Sequence, residues 1–298
     1  MNITIIQFSP SGNTAKVTAE IAAGLSAIKG ASVRIVDITG KEEFFRNGGI
    51  RRFIEKEEAG RHDLLLLGSP VYAHHLQYHM KDLISALPEP DGDTWGRLAI
   101  PYVTYGGISS GIALEEAAKL LRKSGRRVVA GMKISSSHRM TRAFLDREFN
   151  EGKPGEELKP AVDKLAELVK ELSVGRSLPD IGRKLAYQSR ITALVCNVVF
   201  DEKKWHADRY PKIRIDGEKC TSCGKCAAAC PVLHLEKEDG GRVRENGDSP
   251  CIHCLNCVAG CPVHTVHLEG DLEKGKKFMT WMIAKKGNSE KPATAVYR

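Results

Sequence analysis

Apolar residues along the first 175 positions fall into short unbroken runs, separated by longer stretches of helical period. The runs ITIIQF (3–8), SVRIVDI (32–38), DLLLLGS (63–69), LAIPYVT (98–104) and RVVAGMKI (127–134) read as strands. Between and after them the apolar spacing predicts helices over about 13–28, 79–86, 111–123 and 156–173. Strands with no polar alternation are buried on both faces. Set between helices, they predict an α/β fold with a doubly wound, five-stranded parallel sheet. Ligands of such folds bind outside the carboxyl ends of the strands.

Three of those ends carry chemistry. SPSGNT (9–14) offers the hydroxyls of Ser9, Ser11 and Thr14, a permissive backbone at Gly12, and the free N–H groups of a new helix beginning near Asn13. Together they suit a phosphate without lysine or arginine, although an ordinary capped loop reads equally well from these six residues alone. Neither G-x-G-x-x-G nor G-x-x-x-x-G-K-[ST] is present there. The third strand ends in GSPVYAHH (68–75) and the fourth in TYGGISSG (104–111), each placing a tyrosine beside residues that let backbone N–H groups face a ligand. A phosphate-type loop and two aromatic-bearing loops at neighbouring strand ends resemble the flavodoxin family over residues 1–175. That resemblance implies flavin mononucleotide (FMN) held by Ser9, Ser11, Gly12, Asn13 and Thr14, by Pro70, Val71 and Tyr72, and by Thr104, Tyr105, Gly106 and Gly107. One departure is Pro10, which has no N–H to give. The second and third loops hold no acid but do hold His74 and His75, so a protonated histidine would make the flavin less strongly reducing; the blander reading is a solvated helix start.

The C-terminal third changes the picture, because eight of nine cysteines lie between positions 220 and 261. CTSCGKCAAACP and CIHCLNCVAGCP repeat at an offset of 31 residues, and CPVLHLE is echoed by CPVHTVHLE. This is an internal duplication, expected to fold as two copies about a pseudo-twofold axis. Zinc is the competing metal, but one tetrahedral ion needs four donors in two separated pairs, not four within eleven residues twice over. The run C-x₂-C-x₂-C-x₃-C-P resembles that of bacterial ferredoxins. That resemblance implies a small α+β domain with two [4Fe–4S] clusters and crossed ligand sets. One set is Cys220, Cys223, Cys226 and Cys261; the other is Cys251, Cys254, Cys257 and Cys230. Cys196 stands alone among apolar neighbours and reads as a small core residue.

The organisation expected is a flavodoxin–ferredoxin fusion: residues 1–175, a connector at 176–211, a two-cluster unit at 212–270 and a basic tail at 271–298. In the connector, Ile181, Leu185, Ile191, Leu194, Val195 and Val198 approach one helical face, expected to dock the two domains together or to form a homodimer contact. The tail segment KKFMTWMIAKK (276–286) reads as a strap across the protein, with lipid contact the lesser alternative. Eight basic residues between Arg122 and Arg147 read as a docking face for an acidic partner or as solvated surface.

Composition excludes some classes. An apolar share of 42% with 28% charged residues is not that of a disordered chain. No run is long enough to span a bilayer and no secretory leader is visible, so a cytoplasmic protein without a transmembrane segment is expected. The net charge of +8 is weak evidence for nucleic acid, since two clusters and a phosphate would bring it to about +2. The function expected is electron transfer between FMN and two clusters, with a ferredoxin-like or acidic reductase partner and no nucleic acid. A flavin-dependent oxidoreductase of NAD(P)H, a quinone or another small molecule is the alternative, and a redox sensor a minor one.

Overall fold

The computed structural model describes residues 1–46, 49–57 and 60–298. Strand β1 (Asn2–Gln7), helix α1 (Asn13–Ser26) and strand β2 (Ser32–Asp37) open the chain. Helices α2 (Glu42–Phe45) and α3 (Gly49–Glu57) then fill the crossover to β3 (His62–Tyr72). Neither is long enough to give a clear apolar period in the sequence. A two-residue β4 (His75–Leu76) folds back on β3 before α4 (Tyr78–Ala86). Next come β5 (Trp95–Tyr105), α5 (Ala113–Lys123), β6 (Arg127–Val128), β7 (Gly131–Ser135) and α6 (Leu158–Ser173). The fifth expected strand is thus broken in two.

The long strands lie parallel in the order β2-β1-β3-β5-β7. Counted along the chain this is 2-1-3-4-5, the flavodoxin-like doubly wound order. Period-two geometry divides each strand between two cores. Ile3 and Ile5 join Leu64 and Leu66 against α1 and α6, through Val17, Ile21 and Leu165. Ile6, Leu65 and Leu67 face α4 and α5 through Leu83, Leu114 and Leu121. Fully burying each such aliphatic contributes about 1.5–3 kcal/mol.

The connector is not one helix. Gly182–Leu185 form a single tight turn, Ser189 accepts a hydrogen bond from Thr192 N to cap α7 (Arg190–Val199), and α8 (Glu202–Asp208) follows. Ile181 and Leu185 are buried against the flavodoxin-like domain, but Ile191, Leu194, Val195 and Val198 are exposed. The expected docking face is therefore split, and its larger part stays exposed among the described residues.

The cysteine unit shows its duplication in the backbone. β8 (Lys212–Ile215), α9 (Lys225–Ala228) and β9 (Leu235–Lys237) are matched by β10 (Val243–Glu245), α10 (Asn256–Gly260) and β11 (Val266–Glu269). Each starts 31 residues after its counterpart. The antiparallel pairs β8–β11 and β9–β10 exchange under that symmetry. Left-handed backbone recurs at the same offset: Ser222 with His253, Gly224 with Leu255, Leu233 with His264.

The tail carries more structure than its basic composition announces. Helix α11 (Leu272–Lys286) leads to β12 (Ala295–Tyr297), which pairs antiparallel with β7. The sheet therefore gains a sixth principal strand, drawn from beyond the cysteine unit.

Candidate functional site: a cavity at the strand ends beside two cysteine cages

Gly12, at φ +84°, turns the chain into α1. Polar side chains around it are already used to shape the loop. Ser9 Oγ accepts from Ala15 N at 2.8 Å, Thr14 Oγ1 meets Thr104 Oγ1 at 2.9 Å, and Asn13 Nδ2 donates to Ser137 O at 2.9 Å. Among the described residues the N–H groups of Ser11, Asn13 and Thr14 find no acceptor. At a helix start they suit an anion.

A cavity opens at these strand ends. Of the expected residues it is lined by Ser11, Asn13, Pro70, Val71, Tyr72, Thr104, Tyr105 and Gly106. Ser9, Gly12 and Thr14 stand behind the loop, and Gly107 lies outside the lining, its carbonyl accepting from Asn288 N at 2.7 Å. Several lining residues escaped sequence reasoning. Ser136, Ser137, His138 and Arg139 follow β7 and form a fourth strand-end loop, which the position of β7 in the sheet would have signalled. Trp205 of α8 and Phe278, Met279 and Met282 of α11 close the far side, and no local pattern announces them.

The histidines do not act as expected. His74 lines the cavity with its ring 4.2 Å from Phe200, and burial pushes its pKa down to about 4, so it is neutral near pH 7. His138 is likewise held near 4 by burial. His75 lies outside the cavity lining: Nδ1 meets Glu116 Oε1 at 2.8 Å, and Nε2 contacts the Phe200 carbonyl. Burial opposes its protonation, but the hydrogen bond and charge of Glu116 outweigh it and raise its pKa. Any charge there is paired with that carboxylate, not offered to the cavity.

The eight thiols divide into two apolar cages. One is lined by Cys220, Cys223, Cys226 and Cys261, the other by Cys230, Cys251, Cys254 and Cys257. Among the described residues no three His, Cys, Asp or Glu side chains converge as a single ion would require. Backbone N–H groups reach sulfur at matching positions: Ser222 N to Cys220 Sγ at 3.4 Å and His253 N to Cys251 Sγ at 3.3 Å. His234 N reaches Cys230 Sγ at 3.2 Å. In the second cage burial pushes Cys251 up to about 11 and Cys257 to about 12, favouring the neutral thiols. Cys196 is buried, and burial raises its thiol to about 11, as fits an inert core residue.

Cavity and second cage share a wall. Cys254 lines both, and His253 beside it also lines the cavity. Pro10, without an N–H to give, uses its carbonyl to accept from Asn256 Nδ2 at 2.7 Å, joining the first loop to α10. Arg139 donates to the same Asn256 side chain at 3.2 Å. The two cages differ in access, since Cys223 of the first is exposed whereas Cys254 and Cys257 are covered to a greater degree. The basic stretch 122–147 is not one face: Arg126 and Lys133 are buried, Arg122 pairs with Asp180, and Arg139 and Arg142 share Glu148.

The cysteine cages fall within a region that matches a known family. Residues 212–277 match the family described as 4Fe-4S dicluster domain. A ferredoxin of Pyrobaculum islandicum is 44% identical over 36 residues, which is 12% of this chain and 34% of that ferredoxin, so the match spans about a third of the relative. Among solved structures, a flavodoxin from the domain Archaea is 16% identical with a TM-score of 0.39, covering 58% of this chain and 99% of that one. An apo NADH:FMN oxidoreductase (EMOB) is 19% identical with a TM-score of 0.43, covering 61% and 95%. The N-terminal fold is carried by its own strand order rather than by these distant likenesses. The chain thus joins a flavodoxin-like α/β sheet to a C-terminal ferredoxin-type domain, the architecture of a flavodoxin–ferredoxin fusion.

Proposed function

We propose that this chain is an electron-transfer protein that relays electrons between FMN in the strand-end cavity and two [4Fe–4S] clusters in the cysteine cages. Cys254 carries the reading, because it lines the cavity and the second cage alike. The residues present fit both groups. Free N–H groups of Ser11, Asn13 and Thr14 would take the phosphate, with Tyr72 and Tyr105 flanking the cavity. Each cage supplies four thiols, with N–H groups aimed at sulfur. When bound, FMN exchanges electrons as a pair or singly and each cluster exchanges one, so the assembly converts between two-electron and one-electron partners.

The protein's own part is to hold, insulate and orient. Asn256 fixes the second cage against the first loop through Pro10. Trp205, Phe278 and Met279 keep water from the cavity's far side. The exposed Cys223 supports the first cage as the outlet toward a redox partner. Anaerobically purified protein should contain about eight irons, matching sulfide and one FMN per chain. Zinc in the cages, or a chain that binds no flavin, would sink the corresponding half. Sustained NAD(P)H oxidation with a small acceptor would move the reading from carrier to enzyme.

A further inference from the structure

Ile191, Leu194, Val195, Val198 and Val199 recur at helical spacing on α7 and are 43–77% exposed. The helix is nonetheless firmly held. Cys196 is buried on its opposite side, and the carbonyls of Cys196 and Phe200 are both engaged by the His75 ring. This apolar surface continues onto α11. Trp205 donates from its indole to Val199 O at 3.1 Å, its ring lies 6.4 Å from Phe278, and Phe278 lies 6.3 Å from Trp281. Phe278 and Trp281 are 43% and 55% exposed.

Cations flank both helices along the chain. Arg183, Lys184 and Arg190 lead into α7, and Lys203 and Lys204 follow it. On α11, Lys274, Lys276 and Lys277 precede the aromatic pair, and Lys285 and Lys286 follow. Among the described residues none of these ten takes part in an ion pair. Of the acids on these helices, Asp201 and Asp271 cap α8 and α11, Glu202 is buried, and Glu273 stands in the first turn of α11.

We propose that α7 and the aromatic edge of α11 dock on an anionic lipid bilayer, lying among its headgroups without crossing it. Among the described residues no helix is long and apolar enough to cross. The exposed apolar side chains of α7 line none of the cavities described above, so they fit a deformable surface better than a shaped partner. Tryptophan and long basic side chains are suited to the headgroup layer, where lysine stems cover apolar surface and their charges meet acidic lipid. A second copy of this chain is disfavoured, because two such patches would bring like charges face to face. Trp205 and Phe278 also line the strand-end cavity, so docking sets that cavity within about one helix diameter, roughly 10 Å, of the headgroups. The inference does not rest on the electron-transfer reading, since it is tested without turnover.

Full-length holoprotein is floated with phosphatidylcholine vesicles prepared with and without phosphatidylglycerol. The acidic vesicles should hold at least about tenfold more protein, and Trp281 emission should shift to the blue. The triple variant Ile191→Ser, Leu194→Ser, Val198→Ser should lose about tenfold in partitioning, and so should Lys276→Glu with Lys277→Glu. Unchanged far-UV circular dichroism of both variants keeps the comparison free of unfolding. Equal partitioning onto both vesicle types overturns the proposal. So does a dimer that the triple variant dissociates, or capture of an acidic redox protein by this face with no vesicle binding.

Discussion

Lys133 and Glu290 are joined at 2.7 Å, although 157 residues separate them, and both side chains are largely removed from water. Glu290 also accepts from Ser110 N at 2.8 Å and from Ser110 Oγ at 2.6 Å, with Ser109 Oγ at 3.1 Å. It thereby fastens the segment ahead of β12 to the β5–α5 loop. Glu290→Ala leaves Lys133 as a buried charge without its partner, which costs about 3–5 kcal/mol. Glu290→Gln keeps an acceptor for Ser110 and should cost less, about 1.5–3 kcal/mol. Amide hydrogen exchange at Ala295–Tyr297, in the strand paired with β7, reads the opening directly. At about 1.4 kcal/mol per decade, Glu290→Ala should speed exchange by about two to three and a half powers of ten. The pH dependence has a definite sign. Burial would raise the Glu290 pKa, but the hydrogen bonds from Lys133 and Ser110 outweigh it and leave it below the usual range. Its contribution is therefore present above an unfolded pKa of about 4.3 and lost as pH falls through the depressed folded value. Exchange in Glu290→Ala within about threefold of the parent would refute the reasoning. So would simple additivity of Glu290→Ala and Lys133→Met in a double-mutant cycle.

Three further outcomes are expected. Gly111→Ala drives its Cβ into the His74 carbonyl at φ +53°, so it should lower Tm well beyond Gly92→Ala, which carries positive φ but nothing within 4 Å; equal losses would deny the contact. Burial raises Glu202 to about 8, so the native state keeps a proton that the unfolded chain releases near 4.3, and stability falls as pH rises across that window. Glu202→Gln should accordingly gain Tm over the parent progressively from about pH 4.3 to 8 and no further, whereas a pH-independent difference would contradict the buried carboxyl. Cys261→Ala, although it lies in the second motif, should empty the exposed first cage, halving iron while the cluster beside the cavity survives; loss of the buried cluster instead would contradict the crossed sets.

Local pattern conveyed what local physics decides. The five strands, helices α1, α4, α5 and α6 and the two cysteine repeats follow from short-range period or spacing, and the structure gathers the thiols into two groups of four. What the chain hides is partnership across distance. Ala295–Tyr297 is too short to read as a strand, and only the free edge of β7 makes it one. The far wall of the cavity comes from Trp205 and Phe278, whose neighbours in sequence say nothing of strand ends more than a hundred residues away. The apolar row of α7 was legible as a face, but period identifies a face without identifying what covers it. His74 shows the same limit in its charge: a histidine in a loop reads as titratable near neutrality until burial is known.

Because β12 is supplied from beyond the cysteine unit, the whole of that unit is synthesised between β7 and the strand that covers its edge. On the ribosome the five parallel strands emerge first, and the outer edge of β7 stays unpaired while 212–286 are made. An open edge of this kind is a template for aggregation and a mark that chaperones and proteases can read. It closes once α11 has crossed the cavity and Glu290 has found Lys133. A chain arrested before that point, or one whose cysteine unit has failed to fold around its metal, would thus betray the defect at the opposite end of the sheet, as a missing strand.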